Sequence, residues 1–235
     1  MLAMRLWPSA VLAGFLASMP IAALGSDARD GLAGAAQAFE QAALRLQDSD
    51  DKPRGVVRWD GPIFYTARNA QASSTIEAMA FAAVGRIAEI AHLPVERVAP
   101  DDPRANTIVV LTDNESSSGL RTCFAQPSWK NWRMIKVELN LNFANIRRID
   151  RCVVHEALHG FGFNSHPHSA DSILSYVYNR SDLTLLDRHL IETLYDRRLR
   201  PGMPRTDAAK QACRIFGEKM TASAADIEAV CPLRK

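Results

Sequence analysis

Residues 152–162 read CVVHEALHGFG, and this stretch decides how the chain is expected to fold. In a helix, residues four apart lie about 40° apart around the axis and about 6 Å apart along it. His155 and His159 therefore point the same way and can grip one metal ion. Glu156 points about 100° aside, where it can reach a water on the metal rather than the metal itself.

The HExxH spacing is typical of zinc hydrolases, in which zinc lowers the pKa of a bound water and the glutamate takes its proton. We therefore predict Zn2+ as the cofactor, His155 and His159 as ligands, and Glu156 as the catalytic base. The alternative is a surface or core-edge helix with two incidental histidines. An apolar side at helical spacing is already supplied by Val154, Leu158 and Phe161. Neither histidine is therefore needed to fill the core.

Gly162 stands where this helix is expected to end, because glycine can take the left-handed conformation that reverses the chain. A histidine just past that turn can swing back to the metal as a third ligand. Three protein ligands would leave a fourth position for water, as a catalytic zinc site needs.

The run from His155 onward resembles the metzincin clan of zinc proteases, whose pattern is HExxHxxGxxH. His155, Glu156, His159 and Gly162 match that pattern, and Ser165 stands where the third histidine is expected. The resemblance implies a third metal ligand close to this position. His166, one residue later, is the first candidate and His168 is the second, and the remaining alternatives are another group or no third ligand.

Residues 171–176, DSILSY, resemble the Met-turn of the same clan, with Leu174 in the place of the methionine. The resemblance implies an apolar floor beneath the metal at Leu174, which has a similar volume. It also implies a catalytic role for Tyr176, whose phenol can help to stabilise an oxyanion. The alternative for Tyr176 is an ordinary core tyrosine. The clan likeness further implies that the strand at Trp132–Leu141 forms the edge of the cleft and pairs with an extended substrate.

A narrower likeness, over Val56 to Met203, is to an exported bacterial family of unknown function whose members carry HExxQ or HExxH-like motifs. It is carried by the stretches Cys152–Gly162, Asp171–Ile173 and Leu194–Met203. This likeness implies export and a zincin-like fold.

The first 25 residues are typical of a secretory signal, with Arg5 ahead of an apolar run that ends in small residues. The run is short and interrupted, which disfavours the alternative of a membrane anchor. We predict a mature chain from Ser26 in a secreted or periplasmic location.

Four cysteines behind an export signal indicate two disulfides, with three possible connectivities. We favour Cys123–Cys152 and Cys213–Cys231. Zinc ligation by cysteine is disfavoured, since the chain has no CxxC pair.

The length of 235 residues and a net charge of +2 favour one main compact domain and exclude a strong electrostatic footprint for nucleic acid. We predict a monomer with a peptide or protein substrate. The expected segments are a signal peptide (1–25), an N-terminal helix and linker (26–54), a zincin-like catalytic domain (55–203) and disulfide-stapled C-terminal helices (204–235).

The predicted fold class is α+β: a metzincin-like zincin domain, in which a twisted mixed sheet packs on a long helix and the HExxH helix, with helices at the C-terminus. Strands are predicted within Gly55–Arg68, Thr107–Thr112 and Trp132–Leu141. Helices are predicted at Asp30–Gln47 (loosely docked), Ser74–Ala91 (with a Ser74/Glu77 capping box), Arg147–Phe161, Ser181–Leu199, Thr206–Met220 and Ala222–Val230.

The sequence thus favours a secreted zinc metallopeptidase that hydrolyses peptide bonds. One alternative is a non-catalytic exported module that binds a peptide or envelope component through a degenerate zinc site. Hydrolysis of a non-peptide amide, such as cell-wall material, is a third hypothesis, because HExxH does not name the bond that is cleaved.

Overall fold

The computed structural model describes residues 22–45, 55–69, 73–113, 123–144 and 148–231, with residues 22–27 as helix backbone only. Most of the predicted signal peptide and the polar linker at 48–54 lie outside these ranges. The described chain is a mixed α+β fold, which confirms the predicted fold class at that level. Its helices are α1 (Ala22–Ala43), α2 (Ser74–Ile90), α3 (Ile149–Gly160), α4 (Leu185–Leu194), α5 (Arg205–Lys219) and α6 (Ala224–Val230).

The described strands form a five-stranded sheet in the order β2-β1-β3-β5-β4. They are β1 (Ile63–Arg68), β2 (Val95–Arg97), β3 (Thr107–Thr112), β4 (Cys123–Lys130) and β5 (Arg133–Asn142). Neighbouring strands from β2 to β5 run parallel, and β4 returns antiparallel to β5. From Val137 to Leu141 alternate residues of β5 are buried, as expected for a strand with one face on the core.

Helix α3 packs on the buried face of β5. A Cβ added to Gly160 would lie 3.4 Å from side-chain atoms of both Val137 and Leu139, so glycine lets the helix approach the sheet closely. This contact places the HExxH helix directly over the strands β5 and β4.

The prediction of which strand forms the edge of the cleft is wrong. The predicted strand Trp132–Leu141 corresponds to β5, which has a neighbour on each side, so its backbone is not free to pair with a substrate. The strand at the edge of the described sheet is β4, which the sequence did not predict. Pro127 lies inside β4, and a proline within a strand is tolerated at an edge because it cannot donate a hydrogen bond.

The predicted capping box of α2 is wrong by one residue. Ser73 is the N-cap, and its side chain accepts a hydrogen bond from the backbone of Ile76. The carboxylate of Glu77 instead lies 2.8 Å from the guanidinium of Arg97. Serines stand at both 73 and 74, so the spacing alone could not separate the two caps.

Helix α1 is an integral part of the core, and the expectation of loose docking is wrong. Leu32 and Phe39 are fully buried, and the ring of Phe39 meets that of Phe216 in α5 edge to face at 5.9 Å. Arg205 at the start of α5 donates to the carboxylate of Glu40. The N- and C-terminal helices therefore share one hydrophobic core with the sheet.

Helix α4 is shorter than the predicted Ser181–Leu199, because a capping box fixes its first turn. The Thr184 side chain accepts from the backbone of Asp187, and the Asp187 carboxylate accepts from the backbone of Thr184. The helix ends with Tyr195 as its C-cap.

Both predicted disulfides are confirmed. Cys123–Cys152 ties the first residue of β4 to the first turn of α3, and Cys213–Cys231 joins α5 to the residue after α6. Among the described helices, none has the length and apolarity required to cross a bilayer.

Replacing Cys123 and Cys152 together by alanine should lower the free energy of unfolding by roughly 3 kcal/mol, because the bridge restricts the unfolded chain over a separation of 29 residues. Urea denaturation of the purified protein measures this change. The paired Cys213/Cys231 double alanine variant, whose separation is 18 residues, should show a slightly smaller loss. Equal stability of the first variant and the unmodified protein would contradict the expectation.

Candidate metal centre

Three histidine rings converge beside α3. His155 and His159 lie on the helix, and His166 lies on the loop that returns after it. The Nε2 atom of His155 lies 3.1 Å from that of His159 and 3.1 Å from that of His166, and the remaining Nε2 pair is 3.2 Å apart. The three Nε2 atoms thus form a nearly equilateral triangle.

The opposite ring nitrogens of the two helical histidines are held by backbone carbonyls. The Nδ1 atom of His155 lies 3.0 Å from the carbonyl oxygen of Ile173, and the Nδ1 atom of His159 contacts the carbonyl oxygen of Phe163. A carbonyl can only accept, so each Nδ1 carries the proton and donates it. In a neutral imidazole the Nε2 atom then keeps its lone pair, and both lone pairs point into the triangle.

This triangle fits a zinc ion. Zinc–nitrogen bonds of 2.0–2.1 Å in tetrahedral geometry place the ligand nitrogens about 3.3–3.4 Å apart. The observed separations of 3.1–3.2 Å lie close to that value. The Nε2 atoms of His155 and His159 cannot donate to each other when both are unprotonated, so a cation between them would relieve the repulsion of their lone pairs. The three histidines could therefore hold a metal ion.

Burial keeps His155 in its neutral, metal-binding form. The pKa of His155 is lowered to about 4, mainly by loss of solvent and also by the nearby His166 and Arg151, against the opposing effect of the Ile173 carbonyl. A neutral imidazole is the form that ligates a metal.

Of the two candidates for the third ligand, the structure brings His166 to the helical pair. His168 is exposed and is not part of the triangle, and its backbone N–H donates to the side-chain oxygen of Gln41 at 3.1 Å. Glu156, the predicted base, lies on α3 directly after His155 and is buried.

The loop that carries His166 is held by the turn at Gly162 and by hydrogen bonds just after that turn. Gly162 takes the left-handed conformation with φ of +104°, as the sequence predicted. A Cβ at this position would collide with the carbonyl oxygen of Val57. The carbonyl of Ala42, near the end of α1, then accepts from the backbone N–H groups of Asn164 (2.8 Å) and Ser165 (3.1 Å).

Side chains from other elements satisfy the last carbonyls of α3. The indole of Trp59 donates to the carbonyl of Gly160 at 2.9 Å, and the phenol of Tyr195 donates to that of Phe161 at 3.0 Å. These bonds end the helix at a defined residue, because helix C-termini leave carbonyls without intrahelical partners.

The segment 171–176 contacts the motif helix α3 and one of its histidines. Ile173 and Leu174 are fully buried, and Ile173 supplies the carbonyl that holds His155. The guanidinium of Arg151 on α3 donates to the carbonyl of Ser175 at 2.9 Å, which ties the segment to the motif helix.

Tyr176 is not an ordinary core tyrosine, because 69% of its surface is exposed. Its ring centroid lies 4.2 Å from that of His166 and 6.5 Å from that of His155. The tyrosine therefore lies at the mouth of the triangle.

Sequence reasoning missed Asp187, a fully buried acid behind the segment 171–176. Its carboxylate accepts from the backbone N–H of Ile173. The signal was present as Thr184 followed three residues later by an acid, a spacing typical of a helix start.

No protein-family model matches the chain, and no curated protein matches it. Among solved structures, the chain is similar to the crystal structure of myroilysin, with 14% sequence identity and a TM-score of 0.43. The similarity covers 68% of this chain and 93% of that one. A likeness this distant leaves the function to be argued from the site itself.

Replacing Gly162 by alanine should lower the free energy of unfolding by about 2 kcal/mol or more, because a side chain is strained at positive φ and meets Val57. The metal content of the variant should fall as well, because the turn at Gly162 places His166 beside the two helical histidines. Chemical denaturation and metal analysis of the purified variant measure both effects.

Gly85 in α2 provides the matched control, because a Cβ there would meet no atom within 4 Å. Its replacement by alanine should raise stability by about 0.5–1 kcal/mol and leave metal content unchanged. A Gly162→Ala variant as stable as the Gly85→Ala variant would show that the turn is not constrained.

Proposed function

We propose that the protein is an exported zinc metallopeptidase in which His155, His159 and His166 hold the metal and Glu156 is the general base. One observation carries the proposal: three Nε2 atoms lie 3.1–3.2 Å apart, and carbonyls hold the outer nitrogens of the two helical rings. Such outer carbonyl contacts are typical of histidines that bind metals.

Three protein ligands leave the fourth tetrahedral position for water or substrate. His159 and His166 are half-buried and Tyr176 is exposed, so this side of the cluster faces the surface. A purely structural zinc site is instead closed by four protein ligands. The arrangement of His ligands therefore favours a catalytic site.

A bound zinc ion would lower the pKa of a coordinated water to about 7 and polarise the scissile carbonyl. Glu156 would take a proton from the attacking water, and the oxygen of that water would bond to the carbonyl carbon. The same carboxyl then gives the proton to the amide nitrogen, so the C–N bond breaks to yield a carboxylic acid and an amine. The phenol of Tyr176 donates a hydrogen bond to the oxygen that gains negative charge.

The position of strand β4 favours a peptide as the substrate. It lies at the edge of the described sheet, and the Cys123–Cys152 disulfide ties it to the motif helix. An edge strand presents a row of backbone donors and acceptors, which an extended peptide can match as an added strand. The two disulfides in turn support export, since disulfides persist in oxidising compartments.

Purified protein should contain about one zinc per chain and hydrolyse members of a peptide library. Glu156→Gln should retain the zinc and lower kcat by about 10²–10⁴-fold, because the amide cannot take the proton. Glu89→Gln, on the exposed side of α2, is the control and should behave as the unmodified protein.

Hydrolysis by Glu156→Gln at the unmodified rate would refute the assigned base. Zinc without turnover of peptides or cell-wall fragments would instead favour the non-catalytic binding module. Turnover of wall fragments alone would favour the non-peptide amide.

Replacing Tyr176 by phenylalanine should lower kcat by about 10²-fold with little change in KM, because a donor that acts on the developing oxyanion is lost. The ring that contacts His166 is kept, so zinc content should not change. Tyr178→Phe, two residues away, is the control. Steady-state kinetics compare the two, and equal kcat values would remove Tyr176 from the mechanism.

A further inference from the structure

Asp187 is fully buried, yet it lies outside the histidine triangle. Its Oδ1 atom accepts from the hydroxyl of Ser172. Its Oδ2 atom accepts from the backbone N–H of Ile173 at 3.0 Å, and from the backbone N–H and hydroxyl of Thr184, each at 2.8 Å. One carboxylate thus gathers donors from two separate segments of the chain.

Helix capping explains only half of these contacts. The bonds to Thr184 complete the capping box of α4, a device that works equally well at the protein surface. Burial of a carboxylate among uncharged donors is costly, and loss of solvent raises the pKa of Asp187 despite its hydrogen bonds. The bonds to Ser172 and Ile173 add a function beyond the cap.

Those two bonds fix the residue that orients His155. Ile173 donates its N–H to Asp187, and its carbonyl accepts from Nδ1 of His155 at 3.0 Å. The hydroxyl of Ser172 donates to Asp187 and accepts from the N–H of Leu174 at 3.0 Å, which holds the segment on both sides of Ile173. Ile173 and Leu174 are fully buried, so the contacts lie away from solvent.

The two helical histidines differ in how their acceptors are anchored. The carbonyl for His159 comes from Phe163, only four residues along the chain, so the turn after α3 places it. The carbonyl for His155 comes from Ile173, which is 18 residues away and needs an anchor of its own. Asp187, together with the bond from Arg151 to Ser175, supplies that anchor.

We infer that Asp187 is a positioning residue for the zinc site: it fixes Ile173, whose carbonyl sets the orientation of the His155 ring. The inference rests on the proposed function, because it requires that the histidines bind zinc. Groups that orient a metal-bound histidine typically contribute about 10–100-fold in metal affinity.

The test measures zinc affinity by competition with a chelator in Asp187→Asn, Asp187→Ala and Thr184→Val. Asparagine keeps one oxygen for the N–H groups of Ile173 and Thr184 but loses the charge, so zinc affinity should fall about 10-fold. Alanine removes every contact, and affinity should fall about 100-fold.

Thr184→Val is the matched control, because it removes the hydroxyl that contacts Asp187 and the carbonyl of Asp171, each at 2.8 Å, but leaves the bond between Asp187 and Ile173. The apo protein should unfold at a lower urea concentration than the unmodified protein, with unchanged zinc affinity. The visible absorption of the Co2+ form is a second readout: it should change in the Asp187 variants and stay the same in Thr184→Val.

Unchanged zinc affinity and Co2+ spectrum in a folded Asp187→Asn variant would overturn the inference, and this variant decides alone if Asp187→Ala does not fold. An unmodified protein that binds zinc but hydrolyses nothing would refute the proposed activity and leave the Asp187 result to stand. An unmodified protein without zinc affinity would refute both.

Discussion

The site depends on the pairing of imidazole N–H groups with backbone carbonyls. The carbonyls of Ile173 and Phe163 fix the proton of His155 and of His159 on the outer ring nitrogen, so the inner nitrogens offer lone pairs to a common point. Burial keeps His155 neutral in the absence of any metal. The folded chain therefore orients the two helical rings beforehand, and a metal ion that bound here would require little reorganisation of them.

The sequence could predict what depends on local spacing. The positions of His155 and His159 on one helix face follow from a separation of four residues, and the left-handed turn at Gly162 follows from the conformational freedom of glycine. The strand Thr107–Thr112 was predicted at its observed bounds, because its β-branched residues form one buried run. These features need no knowledge of distant parts of the chain.

Features that depend on long-range contacts could not be predicted. The choice of His166 over His168 follows from the loop conformation, which the carbonyl of Ala42 fixes from another helix. Strand β4 was missed because Pro127 breaks its strand pattern, and its place at the edge appears only once β5 is paired. Asp187 was missed because its partners Ser172 and Ile173 lie 15 and 14 residues earlier in the chain, and local spacing does not show that they meet.

The hydrogen bonds from Asn164 and Ser165 to Ala42 have a consequence for how the molecule assembles. They join parts of the chain that are more than a hundred residues apart, and contacts of such separation form late because loop closure must come first. During synthesis, α1 cannot accept these hydrogen bonds until the loop that follows α3 has been synthesised. The loop that carries His166 can therefore gain these two bonds only after both α1 and α3 have been synthesised.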